Sequence, residues 1–168
     1  MASISNNEIK RVKSLQQKKF RDESGLFVVE GEKMVEEARK SHFAVEAVYQ
    51  RDEIGEEAMK RISSLASPSP VLAVVRKPED IYVDEPASLS GLFASGGLFL
   101  ALDTIRDPGN LGTILRIADW FGIDAVFAAK DTVDVFNPKV VQSTMRAIFR
   151  VKMQYVDLPS FSTEVPAA

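Results

Sequence analysis

The 168-residue sequence contains no cysteine and a single histidine, His42. The first absence excludes disulfides and thiolate metal sites. The second leaves almost no material for histidine-based triads or multi-histidine metal centres, so no metal is expected. No apolar run approaches the ~20 residues that a membrane-spanning helix needs; the longest, Gly96 to Leu102, reads as a buried strand. The N-terminus has no apolar signal core, and the expected location is therefore the cytoplasm. With 45% hydrophobic and 27% charged residues, the composition is that of an ordinary folded chain, long enough for one domain or two small ones.

Negative charge dominates overall at −3, but it is unevenly placed. Lys10, Arg11, Lys13, Lys18, Lys19 and Arg21 stand against Glu8 alone in the first 21 residues. A basic arm on an acidic body suits a polyanionic partner. A solvated helix face is the competing reading.

Hydrophobic periodicity alternates between helix and strand along the chain. Residues 6–20 read as one basic helix with Ile9, Val12 and Leu15 on its apolar face, broken by Asp22-Glu23-Ser24-Gly25. Strand Leu26–Val29, a helix to Lys40, strand Phe43–Tyr49, helix Asp52–Leu65 and strand Val71–Val75 follow, and the Ser67-Pro68-Ser69-Pro70 run ends the second helix. This alternation predicts a small α/β domain over residues 1–83, a linker over 84–96 and a second α/β unit over 97–168. In the second unit the pattern gives strand Leu98–Leu102, helix 111–121, strand Ala125–Ala129, helix Pro138–Ile148 and strand Val151–Tyr155. FLAL and AVFAA are nearly continuous apolar runs, as expected of parallel strands buried on both faces. LPSFSTEVPAA forms no recognisable element.

Two runs carry candidate chemistry. Ligands of open parallel sheets bind beyond the C-terminal ends of the strands, and the loop after Leu102 is such an end. There Asp107-Pro108-Gly109-Asn110 reads as a sharp turn. Asn110 either caps the following helix or presents its amide to a ligand. Arg116 lies less than two helical turns on, within reach of the loop. This is no Walker loop, since the Gly-Lys-Ser/Thr ending is missing. A capped helix with a surface ion pair is the plain alternative. In the second run, Asn137-Pro138 starts a helix on which Lys139, Gln142, Arg146 and Arg150 recur at spacings of three or four. That stripe of donors either faces an RNA backbone or is simply solvated.

Together and in this order, LDTIRDPGNLGTILRIADWFG and NPKVVQSTMRAIFRV resemble the signatures of the SpoU-type (TrmH-like) RNA 2′-O-ribose methyltransferases of the SPOUT superfamily. FVVEGEKMVEEA is similar to the small substrate-binding domain that precedes many members. The resemblance implies an incomplete parallel-sheet, SPOUT-like catalytic domain behind an α/β substrate-binding domain. It implies methyl transfer from S-adenosylmethionine to a ribose 2′-hydroxyl of ribosomal or transfer RNA, by a homodimer. Asn110 and Arg116 match the signature residues of the catalytic site, and the resemblance makes Arg116 the group that orients the hydroxyl. A guanidinium whose pKa exceeds about 12 is a poor base, so orientation and electrostatics are its expected contribution. Lys10, Arg11, Lys13, Lys18, Lys19, Arg21, Arg146 and Arg150 are the expected RNA contacts.

The sequence also departs from the pattern. The family's Gly-Asn-Glu-Gly loop and Ser-Leu-Asn run, which supply most of the cofactor pocket and the trefoil knot, have no counterpart after Tyr155. The chain therefore reads as a fragment of a protein of roughly 250 residues, with the cofactor site in the missing part and weak S-adenosylmethionine binding by itself. Arg146 stands where the family commonly has a small residue such as glycine. Two other readings compete: a non-catalytic RNA-binding module built on the basic arm, and a small-molecule or nucleotide binder using the 107–112 loop. Trp120 and Phe121 read as core or dimer-contact residues. Glu30 and Gly31 read as a strand-end turn, with a substrate contact as the alternative, and His42 as a helix-end residue.

Overall fold

The computed structural model describes residues 4–84, 90–94 and 96–164. Residues 85–89 and 95 of the expected linker, and the last four residues, lie outside the described residues.

The basic arm is two helices rather than one. α1 (Asn6–Ser14) is capped by Ser5, whose hydroxyl accepts the Glu8 N–H at 3.1 Å. α2 (Lys18–Ser24) ends on Gly25 at φ 68°, a left-handed cap that suits glycine. Gln17, between them, is extended. The break frees the Leu15 and Gln16 carbonyls, and both accept from the Arg21 guanidinium at 3.0 Å. A side chain from the next helix thus replaces the helical bonds that an unbroken helix would have made.

β1 (Leu26–Glu30), α3 (Glu32–Lys40), β2 (Val45–Gln50), α4 (Arg51–Ile54), α5 (Glu56–Ile62) and β3 (Val71–Arg76) complete the first unit. Its sheet has the order β1-β3-β2, with both neighbours antiparallel to the central β3. Leu72 and Val74 of β3 pack on Ile9, Val12, Leu15, Met59 and Ile62. Ala73 and Val75, pointing the other way, join Met34, Val35 and Ala38. Burial on both faces is why VLAVV is apolar throughout. The single expected helix 52–65 is split at Gly55, where φ is 87°.

The second unit is a four-stranded, wholly parallel sheet in the order β4-β7-β6-β5. Its strands are β4 (Tyr82–Val83), β5 (Phe99–Leu102), β6 (Ala125–Ala129) and β7 (Met153–Val156). Tyr82 and Val83, left with the first unit by periodicity, pair with Tyr155 and Val156 of this sheet. Two residues are too few to show a period. α7 (Pro108–Phe121) and α8 (Pro138–Ser143) pack against the face that carries Val126, Ala128 and Tyr155. Phe93, from α6 (Ser90–Ala94), and Phe161, from α9 (Leu158–Glu164), cover Phe127 on the other face. α9 occupies a stretch expected to be featureless. Asp157 starts it by accepting the Ser160 N–H at 3.2 Å, and the buried Phe161 anchors it. The expected helix 138–148 stops at Ser143, because Met145 and Arg146 adopt φ 47° and 84°; a 3-10 turn, Ala147–Phe149, follows.

One apolar cluster runs through both units, with Phe27 against Phe136 (centroids 4.6 Å apart) and Phe43 edge-on to Phe149 (5.2 Å). The two sheets are therefore held in a fixed relation by a shared core, and the crevice between them is shaped by it.

Candidate functional site

β5 delivers the chain to the C-terminal end of the parallel sheet, where Thr104 sits at φ 55°. Its hydroxyl lies 2.9 Å from Asp103 Oδ1 and 3.0 Å from Asp131 Oδ2. The Val133 N–H donates to the Ile105 carbonyl at 2.8 Å, fixing this loop beside the one after β6. Asp107-Pro108-Gly109-Asn110 is not a free turn. Asp107 is the N-cap of α7 and accepts the Asn110 N–H at 2.8 Å, and Pro108 fills the first helical position. A Cβ on Gly109 would stand 3.1 Å from the capping carboxylate. Because Asp107 caps the helix, the exposed Asn110 amide is left for another partner.

Arg116 is also exposed and makes no hydrogen bond or ion pair among the described residues. The surface ion pair that a plain helix would show is absent. Six positions on a helix place Arg116 about 9 Å along the axis from Asn110 and about 120° around it. No hydrogen bond joins the two residues, so a ligand that engages both must bridge them.

α7 crosses α8 closely. A Cβ on Gly112 would lie 1.8 Å from Ser143 Oγ and 2.9 Å from its carbonyl carbon. Ser143 donates to the carbonyls of Val140 (2.8 Å) and Pro108 (3.1 Å), tying the start of α7 to the end of α8. A groove of about 550 Å³ runs from here to the first unit, lined by Gln16, Ser64, Asn137, Lys139, Gln142 and Ser143 among others. Gln16 and Ser64 had no signal in the sequence, because they join the groove only through the packing of the two units.

The expected RNA contacts divide sharply. Lys10 and Lys13 are exposed and unpaired among the described residues. Lys18 pairs with Asp22, and Lys19 lies 3.9 Å from Glu23. Arg11 binds Glu8 at 2.6 Å and approaches Tyr49. The hydrogen bond from Arg11 holds the Glu8 carboxyl down at about 2, against the cost of its partial burial. Burial, followed by the hydrogen bond to Glu8, pushes the Tyr49 hydroxyl up to about 12.

Arg21 does not fit its expected role. It is 1% exposed, and its Nη2 and Nε lie 2.7 and 3.2 Å from Asp134 Oδ2. This is a buried clasp between α2 and the second unit, closed to any phosphate. Arg150 is likewise engaged, with Asp119 of α7 at 2.6 Å and Glu37 of α3 at 2.9 Å. Those two carboxylates raise its pKa, led by the hydrogen bond it donates to Asp119, and make it a bridge between the units rather than a free cation. Arg146 is exposed, and among the described residues its one hydrogen bond is a 3.4 Å contact to the Met145 carbonyl. Its φ of 84° is a conformation that glycine adopts more readily than arginine.

Trp120 and Phe121 are not core residues, being 85% and 70% exposed. Glu30 is buried and structural, accepting from the Ser63 hydroxyl (2.5 Å) and the Ser69 N–H (3.1 Å). His42 rests its ring on Phe43. Among the described residues there is no cluster of three or more metal-ligating side chains, and no helix is long and apolar enough to cross a membrane.

Comparison with known proteins bears on both units. The model of the MRM3-like substrate binding domain matches residues 6–76, and that of the SpoU rRNA Methylase family matches residues 97–168. The 23S rRNA (guanosine(2553)-2′-O)-methyltransferase RlmP of Bacillus subtilis is 32% identical over 180 residues, covering 98% of this chain and 68% of its own length. Human mitochondrial rRNA methyltransferase 3 is 31% identical over 150 residues, or 79% of this chain and 35% of that protein. An AdoMet-bound rRNA methyltransferase from Sinorhizobium meliloti superposes with a TM-score of 0.82 at 27% identity, over 98% of this chain and 67% of that one. The chain thus spans between about a third and two thirds of the length of these relatives.

Proposed function

Because this chain belongs to the SpoU rRNA methylase family, we propose that α7 presents Asn110 and Arg116 to a ribose of RNA, in a protein that methylates a 2′-hydroxyl of ribosomal RNA. The observation that carries this reading is the state of Arg116: exposed and without an internal partner, on a helix whose cap leaves Asn110 free. An unpaired guanidinium on the exposed side of α7 is placed to take an RNA phosphate and hold the neighbouring ribose oxygen in line for attack. Arg116 favours the developing negative charge on that oxygen without accepting the proton itself.

S-adenosylmethionine, when bound, supplies the electrophilic methyl. The residues present do not enclose such a group. The outer edge of β5 is unpaired among the described residues, and Leu98 beside it is 60% exposed, so one wall is present and no second.

Lys10, Lys13, Lys18, Lys19 and Arg146 remain as RNA contacts, and the groove between the units is the path of the strand. Retention of this groove and of unpaired lysines also supports RNA binding without catalysis by the chain on its own. Ile117, Trp120 and Phe121 form an exposed apolar strip on α7, which we assign to a second copy of the chain in a homodimer. The cytoplasm is the compartment that fits a cysteine-free RNA enzyme.

The test is transfer of a labelled methyl from S-adenosylmethionine to ribosomal RNA by the whole protein, followed by nucleoside analysis. Label on a 2′-O-methylribose supports the reading. Label on a base, or no transfer and no RNA binding, overturns it.

A further inference from the structure

Away from α7, three lysines from three separate segments converge on one recess of about 400 Å³: Lys18 of α2, Lys77 after β3 and Lys130 after β6. Tyr82 and Tyr155 line the same recess, their rings stacked at 5.3 Å and 29°. Tyr155 is immobilised, donating to the Val133 carbonyl at 2.6 Å and accepting the Val135 N–H at 2.8 Å. Tyr82, 41% exposed, is thus an aromatic surface laid on a fixed ring.

The charges are arranged to be exchanged. Lys77 is almost buried and held 5.6 Å above the Phe136 ring, with Asp22 at 2.9 Å. Asp22 is also the partner of Lys18, so one carboxylate serves two ammonium groups. Lys130 binds Asp84, a largely exposed side chain. Asp134, also at the recess, is committed to Arg21. Phosphate oxygens would therefore displace the exposed Asp84 from Lys130 and compete with Asp22 for Lys18 and Lys77.

Position adds a third argument. Lys130 directly follows Ala129, which pairs with Val156 at the C-terminal end of the parallel sheet. That is the end from which the 103–107 loop and α7 also leave.

We propose that this recess docks one nucleotide of single-stranded RNA, the base stacking on Tyr82 and the flanking phosphates engaging Lys18, Lys77 and Lys130. This rests on the RNA reading above and adds a contact for a nucleotide other than the one methylated. Aromatic stacking combined with convergent cations is how single strands are held without sequence readout.

The experiment is anisotropy of a 5′-fluorescein single-stranded RNA of about twelve nucleotides, within the size range such sites occupy, titrated with the 168-residue chain and its variants. Tyr82→Ala should weaken binding about fivefold or more, the range for loss of one stacked base, while Tyr82→Phe stays close to wild type. Lys130→Ala, at an exposed position, should weaken binding and flatten the slope of log affinity against log salt by about 0.7, one phosphate contact on a single strand. If wild type binds RNA and neither Tyr82→Ala nor Lys130→Ala changes affinity or slope, the recess is overturned and the RNA reading stands. If Tyr82→Phe loses as much as Tyr82→Ala, stacking is overturned. If wild type does not bind RNA at all, both fall.

Discussion

The seam between the two units and the outer face of α7 each carry an arginine, and the fold treats them in opposite ways. At the seam, Arg21 bonds Asp134 through Nε and Nη2 and two backbone carbonyls through Nη1, with almost no exposure. On α7, Arg116 bonds nothing among the described residues. In the sequence Arg21 stands in the charged run KKFRDES and Arg116 among the apolar residues of TILRIA, so their local surroundings suggest the opposite assignment. What separates them is the carboxylate that tertiary structure brings, or does not bring, to each. A buried charge with a partner holds units together, whereas an exposed charge left without one is available to a ligand.

The largest effect should come from breaking the seam. Arg21→Met strands Asp134 as a buried, uncompensated charge, and urea unfolding should show a loss of about 3–5 kcal/mol. Adding Asp134→Leu to that variant should recover much of the loss, because an apolar pair of similar volume no longer leaves a charge behind. Arg116→Ala, by contrast, should leave stability within about 0.5 kcal/mol of wild type.

The crossing of α7 and α8 is the next most sensitive point. Gly112→Ala should destabilise by about 1–3 kcal/mol through overpacking. Ser143→Gly should rescue it only in part, since the new Cβ also approaches the Ser143 backbone at 2.9 Å. Relief of strain should act in the other direction. Arg146→Gly should raise the unfolding midpoint by no more than about 1 kcal/mol in equivalent stability, because φ 84° is a region in which non-glycine residues are strained.

The smallest effect belongs to the partly exposed Glu8. Its folded pKa of about 2 lies below the ordinary 4.5. The stability it contributes is present above about pH 4.5 and drains away as pH falls toward 2. Between pH 7 and 3, wild type should lose more than Glu8→Gln by less than about 1 kcal/mol, since the pair is screened by solvent.

Much of this fold was legible in the sequence, and the reason is burial. AVFAA occupies β6, because a strand covered on both faces leaves no room for polar residues; FLAL occupies β5, but this is an edge strand with Ala101 exposed, so its apolar run overstated the burial there. Ile9, Val12 and Leu15 face the core as their spacing implied. The site was legible as far as Asn110 and Arg116 being on α7, but not the division of labour by which Asp107 caps the helix. The misreadings share one cause. Arg21 and Asp134 are 113 residues apart, Arg150 and Glu37 likewise, and no local pattern announces such pairs. Counting cations put Arg21 and Arg150 with the RNA contacts; only their partners take them out. α9 was missed because its one turn-starting residue, Asp157, precedes a proline-containing stretch with a single core side chain, Phe161.

The most direct measurement compares Arg116→Ala with wild type in two readouts on the same preparation of the whole protein: unfolding midpoint and methyl transfer to ribosomal RNA. The account predicts an unchanged midpoint and a fall in transfer of about 100-fold or more, the scale of losing a group that orients and stabilises the reacting oxygen. Undiminished transfer would remove Arg116 from the site, and a fall in stability matching the fall in transfer would make it a structural residue like Arg21.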